Sequence, residues 1–243
     1  MSGITGPTFL TDFDIYSSSA DKRHDLGQLA MTSDGRKFRY CRAGGAVLVT
    51  GDCYSSAAQD DQFEGMATAT LSAINATEIY VTNGTTTIAA NDFDEGYLMV
   101  TAGTGIGQSS RILSHTTGGS GAAITFTIED PLKVATTVAT SKITVVKNPY
   151  DDVVIQAVTP VASTAGIAQF AIPTTEYGWI QTGGPAACLF DASVCAADTM
   201  GVGPSTTTAG TVTVVAAGAI YIGMSMHVVP VSAEVSPVFL TID

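Results

Sequence analysis

Short segments in which apolar and polar residues alternate recur along this chain and restrict the folds that it can adopt. The clearest runs from Ala123 to Glu129, where Ile124, Phe126 and Ile128 are separated by threonines. Successive side chains of a β-strand point to opposite faces, so this pattern predicts a strand with one buried face. Similar segments recur about every 8 to 12 residues, with Gly, Pro, Asn or Asp between them. The sequence therefore predicts an all-β fold, a short-stranded antiparallel sandwich or barrel.

Two pairs of adjacent segments flank a dipeptide that favours a tight turn. They are residues 26–32 and 37–43 about Asp34-Gly35, and residues 78–82 and 85–89 about Asn83-Gly84. Asp-Gly and Asn-Gly readily adopt the positive φ angles of two-residue hairpin turns. Both pairs are therefore predicted to be β-hairpins.

Changes in composition divide the chain into three parts. Residues 1–25 are polar with scattered apolar side chains, which predicts an extended N-terminal arm that docks on a partner. Residues 63–149 are rich in Thr, Ala, Ile and Val and poor in basic residues, which predicts a second, inserted β module. The main β domain is then expected to comprise residues 26–62 and 150–243.

One uncharged segment, Thr211 to Pro230, has nearly the length of a membrane span. Val212 and Val214 alternate with threonines, and no Lys or Arg anchors flank the segment, so we predict two strands there and no membrane association. The N-terminus lacks the basic and apolar regions of a signal peptide, which favours synthesis in the cytoplasm.

Charge is distributed unevenly along the sequence. Twenty-two acidic residues against 10 basic ones give a net charge of -12, which disfavours general nucleic-acid binding because phosphate affinity requires cationic contacts. Segment 21–42 nevertheless holds six of the basic residues against three aspartates. If these basic side chains form one surface patch, the patch can orient the protein on an acidic partner. A solvated strand face explains the same pattern. The six residues are Lys22, Arg23, Arg36, Lys37, Arg39 and Arg42.

Motifs that indicate catalysis or ligand binding are weak in this chain. Gly103-x-Gly105-x-Gly107-Gln108 lacks the third glycine and the following helix of a dinucleotide-binding loop, and it predicts a tight β-turn instead. His24, His115 and His227 lack metal-ligand spacing, and no serine lies in a G-x-S-x-G sequence. We therefore expect no enzymatic activity, no cofactor and no bound metal.

The four cysteines have neither the spacing of a zinc site nor the density of a disulfide scaffold. Free cysteines pack as small apolar side chains, so Cys41, Cys53, Cys188 and Cys195 are expected to be buried thiols. An alternative stays open for Cys41 and Cys53, which can form a disulfide if they lie on adjacent strands under oxidising conditions.

Three blocks of sequence, in chain order, together carry a resemblance to a known family. The first is Leu26-Gly27-x-x-Ala30 followed by Asp34-Gly35-Arg36-x-Phe38-Arg39-Tyr40-x-Arg42-Ala43-Gly44. The second is Gly96-Tyr97-Leu98-x-Val100 with Gly103-x-Gly105-x-Gly107-Gln108 and Arg111-Ile112, and the third is Tyr177-Gly178-Trp179-Ile180-Gln181 with Gly183-Gly184. Together they resemble virion proteins of tailed bacteriophages that are usually encoded beside the major capsid protein.

The resemblance implies a head decoration (cement) protein, made in the host cytoplasm and located on the outer capsid surface of the virion. Its partner is then the major capsid protein, and such proteins often form homotrimers. Capsid contacts are expected from Phe9 and Phe13 of the arm and from the six basic residues of segment 21–42. Tyr177 and Trp179 are candidates for subunit contacts, with burial in the core as the alternative.

Other functions stay open at this point. The chain can be a different virion component, such as a head fibre or a tail protein. A glycan-binding or depolymerising β protein is a further alternative, and so is a host-facing glycan contact by the inserted module. The single tryptophan and the aromatic content of 7% disfavour a sugar-binding groove, where several rings normally stack on the sugar.

Overall fold

The computed structural model describes residues 7–191, 200–215, 219–228 and 234–243, and their regular secondary structure is almost entirely β. The strands are β1 (Thr8–Phe9), β2 (Leu29–Met31), β3 (Lys37–Arg42), β4 (Cys53–Ser55), β5 (Met66–Ala67), β6 (Glu78–Thr82), β7 (Tyr97–Ala102), β8 (Ser109–His115), β9 (Ala123–Ile128), β10 (Lys142–Val146), β11 (Val154–Ile155), β12 (Thr164–Ala168), β13 (Tyr177–Leu189), β14 (Gly201–Pro204), β15 (Val212–Val214), β16 (Gly223–Ser225) and β17 (Val235–Thr241). A four-residue helix, α1 (Asp12–Ile15), and a 3-10 turn, Asp61–Phe63, accompany them. The predicted all-β class is confirmed.

Contacts divide the chain into two compact units. Unit 1 comprises residues 1–58 and 149–243, and unit 2 comprises residues 59–148. Unit 2 is thus inserted between two parts of unit 1.

Unit 2 is an antiparallel barrel that is nearly closed. Its six strands follow the order β5-β10-β7-β8-β9-β6. The two ends of this order meet where Thr68 bridges Val81 and the Ala69 N–H donates to the Tyr80 carbonyl at 2.9 Å. The inward side chains form one core, in which Phe126 of β9 is fully buried, as its alternating sequence predicts.

The predicted hairpin about Asn83-Gly84 does not form. Strand β6 pairs with β9 instead, and in segment 85–89 only Ile88 makes a bridge, to Gly118. The Asn83 side chain is buried, and its Nδ2 donates to the carbonyls of Thr86 and Gly118 at 2.9 and 3.2 Å. The asparagine therefore holds a wider loop together, and long-range strand pairing overrides the local turn preference.

Unit 1 is built on a large sheet with the strand order β1-β2-β3-β13-β17-β16-β14-β15. Strands β4, β11 and β12 branch from this order at β13. The predicted hairpin about Asp34-Gly35 is present: β2 pairs with β3, and Gly35 has a φ of +85°. The described part of segment 211–230 contains β15 and β16, as predicted, whereas residues 216–218, 229 and 230 lie outside the described residues.

The N-terminal segment packs on unit 1. Within the predicted arm, β1 pairs in parallel with β2, and α1 follows after two residues. Leu10 and Ile15 join a core that contains Phe38, Tyr40 and Trp179. Residues 1–6 of the predicted arm lie outside the described residues.

Candidate functional site

Three aromatic side chains are exposed on the N-terminal segment, at the edge of the unit 1 sheet, and Phe9 and Phe13 are more exposed than Tyr16. Phe9 lies opposite Met31 in the parallel pairing of β1 with β2, and the next N–H, of Leu10, donates to the Met31 carbonyl at 2.9 Å. Leu10 and Ile15 are buried, whereas Phe9 and Phe13 are 79% and 83% exposed. The segment is thus anchored by some of its apolar side chains and presents others to solvent. We call Phe9 and Phe13 the N-terminal patch.

Polar contacts fix the backbone that carries this patch. The Asp14 carboxylate accepts hydrogen bonds from the Thr11 hydroxyl at 2.6 Å and from the Thr11 N–H at 2.9 Å. These two hydrogen bonds hold the pKa of Asp14 below its ordinary value. Arg36 also reaches the carboxylate of Asp12, the first residue of α1, at 3.2 Å. Phe13 is therefore presented from an ordered turn of helix.

Aromatic rings lie beneath the N-terminal segment. Trp179 is 4% exposed and contacts Tyr40 edge to face, with ring centroids 5.0 Å apart. The Tyr40 hydroxyl accepts a hydrogen bond from the Arg23 N–H at 3.0 Å, and Tyr177 is bridged to Ser19 through backbone hydrogen bonds. Trp179 thus belongs to the core, the alternative that the sequence left open, and half-buried Tyr177 helps to hold the segment.

Among the six basic residues singled out in segment 21–42, the arginines at 36, 39 and 42 form ion pairs within the chain. The pairs are Arg36 with Asp12 and Asp34, Arg39 with Asp243, and Arg42 with Asp151 and Asp152. The Lys37 ammonium donates to the Asp243 carbonyl at 3.0 Å. Lys22 and Arg23 are exposed. Because carboxylates from distant parts of the chain offset the arginines, the positive charge of this segment is much smaller than its sequence indicates.

Unit 2 contains a cleft of about 260 Å³ between strands β7, β8 and β9 and the loop that follows β9. Its apolar lining includes Leu98, Val100 and Leu132. The Gln108 side chain secures the loop, since its Oε1 accepts hydrogen bonds from the N–H groups of Lys133 and Val134 at 2.7 and 2.9 Å. No aromatic ring is among the lining residues, so the cleft lacks the stacking surface that sugar-binding sites use.

The glycine motif before Gln108 forms a turn, as predicted. Gly103, Gly105 and Gly107 all have positive φ, between 75° and 90°. The turn joins β7 to β8, which are paired antiparallel. No helix follows the motif, so it does not have the structure of a dinucleotide-binding loop.

The cysteines of the described residues are buried thiols. Cys41, Cys53 and Cys188 are free, so Cys41 and Cys53 are not joined by a disulfide; Cys195 lies outside the described residues. Burial raises the pKa of the Cys41 and Cys53 thiols to about 12. A protonated, inaccessible thiol is a poor nucleophile and a poor metal ligand, so these cysteines act as core side chains.

His115 is also structural. Its Nε2 accepts a hydrogen bond from the Phe93 N–H at 3.0 Å, and its Nδ1 lies 2.9 Å from the Thr116 carbonyl. Both ring nitrogens are thus used within unit 2. In the part of the chain that the structure describes, no group of three or more His, Cys, Asp or Glu side chains is placed to hold a metal ion.

Comparison with models of protein families, with curated proteins and with solved structures found no match to this chain. The described ranges include no helix with the length and apolar character needed to cross a membrane. The surfaces of the molecule are therefore the remaining guide to its function. The N-terminal patch is the candidate binding surface that the sequence also predicts.

Proposed function

We propose that this protein is a decoration (cement) protein of a bacteriophage head, which binds the major capsid protein on the outer surface of the shell. The exposure of Phe9 and Phe13 on an anchored segment supports this proposal. Large exposed apolar side chains mark interaction sites, and aromatic residues are enriched at the centres of interfaces. An anchored segment also loses little conformational freedom on binding, so more of the contact energy contributes to affinity.

Charge supports the same mode of action. Lys22 and Arg23 are exposed on the N-terminal segment that carries the patch, in a chain whose net charge is -12. The two cations can orient this end towards an acidic capsid surface during encounter. The acidic remainder is repelled by packaged DNA, which keeps the protein on the outside of the shell. On this proposal it is made in the host cytoplasm and located on the virion.

The proposed mechanism is additive attachment without chemical conversion of a substrate. Each copy makes a modest contact, and many copies on one shell together resist internal pressure. A homotrimer that bridges neighbouring capsomers increases the effect, since release then requires several contacts to break at once. A head fibre or a tail protein is the alternative location, and electron microscopy of labelled virions distinguishes them by position and copy number.

The experiment that tests the patch combines Phe9→Ala with Phe13→Ala and measures binding to purified capsids that lack the protein. We expect affinity to fall about 10- to 100-fold, the range of aromatic anchors at interface centres. Val161→Ala is the matched control, since Val161 is also in unit 1 and is 69% exposed. Circular dichroism should show that all variants are folded. Unchanged binding by the double variant contradicts the proposed role of the patch, and failure of the native protein to bind capsids contradicts the proposed function.

A further inference from the structure

A second exposed apolar surface lies on the outer face of unit 1, around strand β17. Along this strand Val238 and Leu240 are buried, whereas Val235 and Phe239 are 55% and 47% exposed. Exposed Pro237 lies between these two. Both faces of β17 are therefore apolar, and the unit 1 core covers only one of them.

Strand pairing extends this surface to the neighbours of β17. Phe239 lies opposite Met224 of β16 on one side and opposite Pro185 of β13 on the other. Val235 lies opposite Leu189 of β13. Directly opposed residues of antiparallel strands point to the same face of a sheet. We call the surface formed by Pro185, Leu189, Met224, Val235, Pro237 and Phe239 the β17 face.

A tyrosine continues the β17 face over β14. A Cβ atom on Gly201 would lie 3.4 Å from the ring of Tyr221, so the glycine leaves room for this ring on the outer side of the sheet. Gly201 is itself opposite Met224. Tyr221 is 48% exposed and adds a large apolar surface beside Met224.

The β17 face is uncharged. Among the described residues, the outward positions of β16, of β17 and of β13 from Pro185 onward carry no charged side chain. Two copies of a chain with a net charge of -12 repel each other, and close approach is least unfavourable where both surfaces lack charge. This charge distribution favours a second copy of the same chain as the occupant of the face.

The exposed area is sufficient for such an association. Met224, Tyr221, Phe239 and Val235 are 40–55% exposed. A fully exposed aromatic side chain has a surface of ~150–250 Å². The exposed parts of these four side chains, together with the neighbouring prolines and Leu189, give the β17 face an apolar area of roughly 500 Å² per copy. Two copies then bury about 1,000 Å², which is the lower limit for a specific protein interface.

The β17 face and the N-terminal patch lie on different parts of the same sheet. Strand β1 is at one end of the strand order, and β17, β16 and β14 lie towards the other end. An association through the β17 face therefore leaves Phe9 and Phe13 available to another partner.

We propose that the β17 face is the surface through which copies of this chain associate, with Phe239 and Met224 at its centre. Self-association through this face buries apolar area that is otherwise exposed to water, and it requires no rearrangement of the sheet. This self-association does not depend on whether the protein binds a capsid.

The test is the concentration dependence of mass, measured by light scattering and sedimentation on the full chain and on Phe239→Asp. We expect the native chain to reach a multiple of 24.9 kDa and Phe239→Asp to raise the dissociation constant at least ~30-fold, because the interface would bury an unpaired carboxylate. Met224→Asp should have the same effect from the opposing strand. Val161→Asp, a charge of the same size at an exposed apolar position elsewhere in unit 1, should leave association unchanged.

Circular dichroism and Trp179 fluorescence identify any variant that fails to fold. Phe239→Ser then replaces Phe239→Asp, since it removes the ring without adding charge. A native chain that stays monomeric at roughly 100 μM overturns the proposal, and so does native-like association of the folded Phe239 and Met224 variants. The Phe9→Ala, Phe13→Ala variant should associate normally, so loss of association and loss of capsid binding are separable outcomes.

Discussion

The described residues of unit 2 bury their apolar side chains in one core cluster, whereas those of unit 1 form three clusters, and both units leave some apolar side chains exposed, such as Ile106 in unit 2 and Phe239 in unit 1. The difference follows from strand topology. A nearly closed barrel has an interior that its own strands fill, and its edges pair with each other. An open sheet has two faces and free edges, and its core covers only part of them. In unit 1 the exposed side chains Phe9 and Phe239 lie on strands of one such open sheet, where neighbouring strands extend the apolar surface.

Edge strands illustrate the same contrast. In unit 2 the terminal strands β5 and β6 approach each other through the bridge between Thr68 and Val81. In unit 1 the terminal strand β1 has only two residues. A short edge strand limits unwanted strand addition, so side chains such as Phe9 are better suited than the backbone to bind a partner there.

The largest effect that can sharpen this comparison is expected from Phe126→Ala in the barrel. Phe126 is fully buried and lies against Phe93 and His115, so its truncation should cost about 3–5 kcal/mol in the free energy of unfolding of unit 2. The only tryptophan, Trp179, is in unit 1, so its fluorescence reports on that unit. In chemical denaturation, circular dichroism should show an early transition while the Trp179 transition stays in place. Equal shifts in both signals would show that the two units unfold together.

An intermediate effect is expected from Ile15→Ala. Ile15 is 1% exposed and anchors α1, so its truncation should cost about 2–4 kcal/mol and release the N-terminal segment locally. Hydrogen exchange in residues 8–16 should accelerate, and capsid binding should weaken although Phe9 and Phe13 are unchanged. Ile74→Ala, at an exposed position of unit 2, provides the control. Normal capsid binding by an Ile15 variant with a released segment would mean that anchoring is unimportant.

The smallest expected effect is the contribution of the ion pair between Arg39 and Asp243 to the pH dependence of the unfolding free energy. The hydrogen bond from Arg39 lowers the pKa of Asp243 below its ordinary value, and partial burial opposes this only in part. A depressed carboxyl pKa contributes stability above the unfolded-state pKa, and this contribution is lost as the pH falls below about 4. Because the pair is partly exposed, we expect less than ~1 kcal/mol.

The measurement compares unfolding free energies of the native chain and Asp243→Asn at pH 6 and pH 3. The two proteins should differ at pH 6 and converge at pH 3. Asp92→Asn, at an exposed carboxylate of unit 2, should not reproduce this pattern. A difference that persists at pH 3 would assign the effect of Asp243 to packing instead of charge.

The two turn dipeptides show how far sequence alone predicts the fold. Asp34-Gly35 forms the expected hairpin because the segments on both sides can pair with each other and bury Phe38 on the sheet. Asn83-Gly84 has an equally strong local signal, yet β6 buries Ile79 and Val81 by pairing with β9, some 40 residues later. Turn preference is worth little compared with the burial of several apolar side chains, and only the pairing of distant strands determines where that burial is available.

Residue alternation in the sequence was enough to predict the β class and strands such as β3, β6 and β9, because alternation of side chains between two faces is a property of the local backbone. The sequence also singled out Phe9 and Phe13. Which apolar residues stay exposed and which charges are neutralised depends on contacts between distant parts of the folded chain. Val235 and Val238 are equally apolar, and the sheet's own core covers only Val238. Arg39 meets Asp243 across 204 residues of chain, and no local pattern encodes such a contact because folding alone brings the two groups within hydrogen-bond distance.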